Sequence, residues 1–268
     1  MPIANARMYS VTAACAADWK TVFAWALSRA GLDWPLVDVD PPVPIATLWA
    51  RDDLGAVMMC GLPYTQRVPK PTLIAAPLPS PARYHGRALY FTDLVVAAAS
   101  AHRTLEDTFD GVVGYTLAGS MSGGVAMRAH LAPFRSAARP RLYARSVGGL
   151  IHARGVIEAL ARGEIDVGPL DGYCHDLLKQ HDPEFAAQVR TVASTEAMPI
   201  PPIVATAAVG EIELARLRAA FRAAARAPEL VEPMKRLMLS GFTIPLPSDY
   251  DVLTTIARHG ANVPFEEL

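Results

Sequence analysis

The chain is short of most features that announce a function outright. Only three of its 268 residues are cysteine, Cys15, Cys60 and Cys174, and they lie far apart. An odd, scattered set without a C-x-x-C pair indicates neither a disulfide framework nor a zinc ribbon. It suits a reducing compartment, with room for one disulfide. Charged residues make up 19%, and 25 Lys+Arg against 26 Asp+Glu leave a net charge of −1. Without a basic excess there is no field to draw a phosphate backbone, which argues against a nucleic-acid partner. An anionic ligand would have to be held by local geometry instead. No apolar run approaches the roughly 20 residues of a membrane span. The start, Met1 to Arg7, has no apolar stretch after a charged one, so no signal peptide is read. That reading places the chain in the cytoplasm.

What the chain does have is apolar surface: 51% of residues are hydrophobic, which excludes intrinsic disorder. Length predicts between one and two domains at roughly 150 residues each. A core of that size needs no disulfide or metal staple. The 23 prolines fall mostly between periodic segments, as loop punctuation. Trp19, Val22, Phe23, Ala26 and Leu27 repeat at helical spacing, with Gly31 as a stop, and predict a helix over 18–30. Strands are predicted at 34–39, 54–60, 72–76 and 88–98, with a short helix over 44–49. From 112 to 193 strands and helices alternate: strands at 112–117, 141–147, 165–169 and 188–193, helices at 122–131, 150–162 and 172–180. Strict alternation predicts an α/β parallel sheet. The stretches 210–225 and 228–239 read as amphipathic helices whose arginines face water.

Three strand-to-helix junctions could carry chemistry. The first is Thr116-Leu117-Ala118-Gly119-Ser120-Met121-Ser122-Gly123-Gly124. Its helix would begin with unpartnered N–H groups at the positive end of the dipole, beside two hydroxyls. That combination makes an oxyanion cradle, and equally an ordinary N-cap with a tight turn. G-x-x-x-x-G-K-[ST] is absent, and Met121 stands at the centre of Gly119-Ser120-Met121-Ser122-Gly123 where a nucleophile elbow needs serine. The second junction, Ser146 to Arg154, offers His152, as a ligand contact or as a packed or surface histidine. The third offers Asp171 after a short apolar strand, as a receptor for an ammonium or hydroxyl, or as an N-cap. None of the seven histidines forms H-E-x-x-H or H-x-H, so neither a metal site nor a cofactor is indicated.

In order and spacing, these segments resemble the phosphate/phosphonate-type substrate-binding proteins of ABC transporters. The residues that carry the resemblance are Met8-Tyr9, Met59-Cys60-Gly61-Leu62-Pro63, Tyr90-Phe91-Thr92-Asp93-Leu94-Val95-Val96, Ser120-x-Ser122-Gly123, Gly148-Gly149-x-x-His152 and Gly163-Glu164-Ile165-Asp166-Val167 followed by Asp171. Thr195 with Pro199-Ile200-Pro201-Pro202, then Gly241-Phe242 and Tyr250, extend it over roughly Ile3 to Ala257. The resemblance implies an α/β, two-lobed clamshell of the type 2 periplasmic binding fold, each lobe a mixed or parallel sheet flanked by helices. Lobe 1 would be 1–93 plus 200–268, and lobe 2 would be 94–199. It implies a non-catalytic solute-binding protein that captures a small oxyanion or zwitterion for ABC-type uptake, with an ABC permease as partner and the periplasm as its place. Ser120, Ser122 and Gly123 would hold the anion and Thr92, after Tyr90, would add a hydroxyl. Asp171 would take the ligand's polar or cationic part, with Tyr9, Cys60 and Gly61 contributing from lobe 1. The alternative is a cytoplasmic enzyme or sensor on the same scaffold, with His152 and Asp171 as a general base pair.

Overall fold

A computed structural model describes residues 1–39, 43–261 and 263–268. Along the chain run β1 (Ile3–Asn5), α1 (Ala13–Arg29), α2 (Ile45–Trp49), β2 (Leu54–Met58), α3 (Gly61–Gln66) and β3 (Thr72–Pro79). Next come β4 (Leu89–Tyr90), β5 (Thr92–Ala97), β6 (Val112–Gly114), α4 (Ala126–Leu131), β7 (Arg145–Val147), α5 (Ala153–Ala161), β8 (Gly168–Asp171), α6 (Gly172–His181), α7 (Pro183–Ala186) and β9 (Val189–Ser194). The chain closes with β10 (Met198–Pro199), β11 (Ile203–Ala205), α8 (Glu211–Ala223), α9 (Val231–Arg236), β12 (Leu239–Thr243) and α10 (Asp251–Ala261).

Two compact units result, Met1–Leu89 with Pro199–Tyr250, and Tyr90–Met198 with Asp251–Leu268. The first is built on a five-stranded mixed sheet in the order β1-β2-β11-β3-β12. Only the β1–β2 pair is parallel, and β11 and β12 run antiparallel to their neighbours. Helix α1 explains itself locally. The Thr12 Oγ1 accepts from the Cys15 N–H at 3.2 Å as an N-cap. Trp19, Val22, Phe23, Ala26 and Leu27, one helical stripe, are all buried. Asp18 on the same helix receives Arg236 as a two-pronged pair at 2.6 and 2.9 Å, which ties α1 to α9.

The second unit corrects the expectation of a parallel sheet through the middle of the chain. Strand β5 sits between β8 and β9 and is antiparallel to both. Only β6 and β7 pair in parallel, with Val113 bridging parallel to Val167. The strand at 88–98 is two strands, broken at Phe91. The segment 34–39 makes one bridge, Leu36 to Ala4, rather than a full strand. Strand β12 was hidden because the helical pattern over 228–239 runs into it; the helix stops at Arg236. Residues 90–93 and 251–268, expected in lobe 1, group with the second unit. Helix α10 closes on the turn at Val125, where a Cβ on Gly260 would meet the Val125 carbonyl oxygen at 2.8 Å. The core of this unit joins Leu94, Val113, Met127 and Leu131 to Val263, Phe265 and Leu268 of the C-terminal segment.

Candidate functional site

Three helices of the second unit begin at one edge of its sheets. Strands β6 and β7 run parallel, and the segment at Val167 runs with them. The helices that these segments feed therefore start on the same side: the helix opening at Met121, α5 and α6. Two bonds stitch the first two junctions together, Gly149 N–H to the Thr116 carbonyl at 3.1 Å and Leu150 N–H to the Tyr115 carbonyl at 3.3 Å. Each helix start presents unpaired N–H groups and a positive dipole end, so this edge attracts negative charge.

The three starts are capped by different chemistry. Ser120 Oγ accepts from the Gly123 N–H at 3.2 Å. His152 Nδ1 accepts from the Gly155 N–H at 3.1 Å, which requires that nitrogen to carry no proton. Asp171 Oδ1 accepts from the Tyr173 and Cys174 N–H groups, each at 3.0 Å. The local reading as an N-cap is realised at Ser120 and Asp171, whereas the cap at His152, read from sequence as a packed or surface histidine, is seen only in the structure. A neutral serine leaves its helix end open to an anion, whereas the carboxylate of Asp171 counters the positive end of α6 and favours a cation or hydroxyl donor.

The first helix opens irregularly. Residues Met121–Val125 form one turn of π-helix before α4, with Val125 N–H donating to the Ser120 carbonyl at 2.9 Å. Such widened turns recur at functional sites. The N–H groups of Met121 and Ser122 lie in the first turn, with no carbonyl behind them inside the helix. The half-buried Ser122 hydroxyl has no hydrogen-bond partner among the described residues. Ser120 Oγ, as an acceptor here, keeps its own proton to donate. Gly123 plays another part than the sequence suggested. Its N–H goes to Ser120, and a Cβ there would sit 1.8 Å from Thr116 Oγ1. It is glycine because Thr116 packs against its backbone.

Thr92 braces this turn. Its buried hydroxyl donates to the Ser122 carbonyl at 3.0 Å. A hydroxyl has one proton to give, and here Thr92 gives it to the Ser122 carbonyl. The Thr92 N–H donates to Thr195 Oγ1 at 3.0 Å, the Thr195 N–H returns a bond at 2.9 Å, and Asp171 lies opposite Thr92 in the β5–β8 register. Thr92 therefore connects Ser122 to Asp171 within one residue. The next residue, Asp93, points to the other face. There it meets His175 Nδ1 at 3.0 Å and Ser194 Oγ at 2.7 Å, and all of the Asp93–His175 contact is buried.

The remaining expected residues are packed where they stand. Tyr90 is buried in the second unit. Tyr9, Cys60 and Gly61 belong to the first unit: Tyr9 is buried beside Trp19, its ring centroid 6.5 Å away, Cys60 is the buried residue just before α3, and Gly61 begins it. The residues that sequence reasoning missed are Thr116, Thr195 and Arg128. Thr195 was visible only as a marker of the resemblance. For the other two the sequence carries no motif, and part of their contacts, Gly149 with Thr116 and Val263 and Phe265 with Arg128, lie far off in the chain. Among the described residues no group of three or more His, Cys, Asp or Glu could hold a metal ion, and no helix is long and apolar enough to cross a membrane.

A family model described as "ABC transporter, phosphonate, periplasmic substrate-binding protein" matches residues 46–250. A search of curated proteins found no match. Among solved structures, a binding-protein component of an ABC phosphonate transporter from Pseudomonas aeruginosa is 16% identical, with a TM-score of 0.77 over 99% of this chain and 91% of that one. PhnD1 from Prochlorococcus marinus, in complex with methylphosphonate, is 13% identical, with a TM-score of 0.78 over 98% of both chains. XAC2383 from Xanthomonas citri, bound to chloride, is 18% identical with a TM-score of 0.69, covering 98% of this chain and 97% of that one. At these identities the likeness is one of fold.

Proposed function

The chain belongs to the family of periplasmic substrate-binding proteins of phosphonate ABC transporters, and on that premise we propose that its second unit captures the oxyanion head of a small phosphonate or phosphate. The cradle is the turn from Ser120 to Gly123. Its donors are the hydroxyls of Ser120 and Ser122 and the N–H groups of Met121 and Ser122. Several oriented neutral donors and a helix dipole hold a desolvated anion without a lysine or arginine in contact. Asp171, one residue removed through Thr92, takes a cationic or hydroxylated part of the same ligand.

The observation that carries this reading is the unpartnered, half-buried Ser122 hydroxyl, on a helix start whose carbonyl side Thr92 already fixes. The methylphosphonate in the Prochlorococcus marinus structure supports the ligand class. His152 and Asp171 each hold their own helix start, and nothing in the comparisons favours the enzyme or sensor reading. Delivery to an ABC permease follows from the family. Calorimetry against methylphosphonate, phosphate, a sulfonate and a carboxylate tests the proposal. Saturable heat with the phosphorus oxyanions supports it, and silence across the panel overturns it.

A further inference from the structure

The cradle has no cation among its own residues, yet one stands directly behind its turn. Arg128 lies on α4, the continuation of the same helix. Its Nη2 donates to the Ala118 carbonyl at 3.2 Å, and Ala118 belongs to the exposed turn that delivers Ser120. Its Nη1 reaches the Val263 carbonyl at 3.5 Å. The face of the guanidinium covers the Phe265 ring, 4.5 Å from its centroid. Phe265 in turn stacks on Tyr115, centroids 3.5 Å apart and planes within 13°. A Cβ on Gly124 would meet the Phe265 ring at 3.2 Å, so that ring also abuts the cradle's helix.

A guanidinium suits this place because it can stack with its face while its edge donates in plane. The Arg128 Nε is buried and has no partner among the described residues, so the group is held by geometry rather than by a carboxylate. Burial lowers its affinity for a proton from the ordinary arginine value. A partly dehydrated charge acts at longer range than a wetted one.

We propose that Arg128 is a positioning residue of the cradle: stacked on Phe265, it clamps the turn at Ala118 so that Ser120 and the first N–H groups face the ligand, and it lends its positive charge from behind. The inference rests on the ligand reading above for its purpose, but its geometry is testable without any ligand.

The experiment pairs amide hydrogen exchange with calorimetry on Arg128→Met and Arg128→Lys in the full chain. Arg128→Met removes both donors and the charge while keeping an apolar stem. Expected is exchange of the amides of 118–123 about tenfold faster, with protection of β5, β8 and α6 unchanged. Expected too is methylphosphonate binding about tenfold weaker or worse, with Arg128→Lys between wild type and Arg128→Met. Unchanged exchange in 118–123 overturns the proposal, and so does acceleration spread evenly over the unit, which marks general destabilisation. Wild-type affinity in Arg128→Met overturns it as well. Should Arg128→Met fail to fold, the exchange of 118–123 in Arg128→Lys decides by the same criteria. Absence of binding by the wild-type chain would count against the ligand reading alone, since the exchange experiment uses no ligand.

Discussion

Thr92 donates its hydroxyl to the carbonyl of Ser122 at 3.0 Å while standing opposite Asp171 in the neighbouring strand. One buried threonine thus fixes the distance between a neutral, anion-seeking helix start and a carboxylate-capped one. Replacing it isosterically separates shape from hydrogen bonding. Thr92→Val deletes this side-chain bond from a buried place, a cost of about 0.5–1.5 kcal/mol. Urea denaturation should show that loss, with a parallel loss of oxyanion affinity; Thr92→Ser should restore most of both. Wild-type stability in Thr92→Val would remove the brace from the account.

Ser122 is the sharper test of contact with the ligand. Its hydroxyl makes no bond within the described protein, so Ser122→Ala should leave the melting temperature nearly unchanged. Loss of a donor to a charged acceptor weakens binding by about 1–3 kcal/mol, roughly fivefold to 150-fold. Unaltered affinity would take Ser122 out of the site.

One substitution pulls apart the capping that Asp171 performs and the ligand contact proposed for it. Asparagine is as good an N-cap as aspartate, so Asp171→Asn should keep α6 in place. It removes the negative charge, so an aminoalkyl phosphonate should lose its advantage over the plain alkyl analogue. Competition calorimetry with the pair reads this directly. An unchanged ratio would confine Asp171 to capping.

Burial pushes the Cys15 thiol from 9.0 up to about 12, and its S–H donates to the Tyr9 carbonyl at 3.1 Å. The folded state therefore holds this proton over a window in which the unfolded chain has released it. The folded-state value is raised, so this contribution to stability is complete below about pH 9 and declines as pH rises from there towards 12. Tyr143 and Tyr250 are shifted upward by burial as well and act in the same sense. Denaturation midpoints at pH 8 and pH 10.5 should fall with pH, and less steeply in Cys15→Ala. The buried Cys15 thiol holds its proton at pH 8, so a thiolate-directed reagent should label the half-buried Cys174 before Cys15.

The sequence showed the junctions more clearly than their use. Ser120 and Asp171 were legible as helix starts, because small or cap-forming residues separate an apolar strand from an amphipathic run in each case; His152 was not, since the helical pattern there already begins at Leu150. The π-turn at Met121–Val125 was not, since one extra residue per turn leaves the apolar period almost unaltered. Strand direction was equally hidden: β5 reads the same whether its neighbours run with it or against it, and only the register with β8 and β9 shows the latter. The helix α10 joins the second unit through contacts at Val125 that no local pattern encodes. For Thr92 and for the Val263 contact of Arg128 the partners lie 30 and 135 residues away, where spacing arguments have no reach.

The most direct measurement is the backbone amide spectrum of the labelled protein during titration with methylphosphonate. Capture at this cradle predicts saturating downfield shifts centred on the N–H groups of Met121 and Ser122, with smaller ones at Thr92 and Asp171. Saturable binding that leaves Met121 and Ser122 unmoved would contradict it.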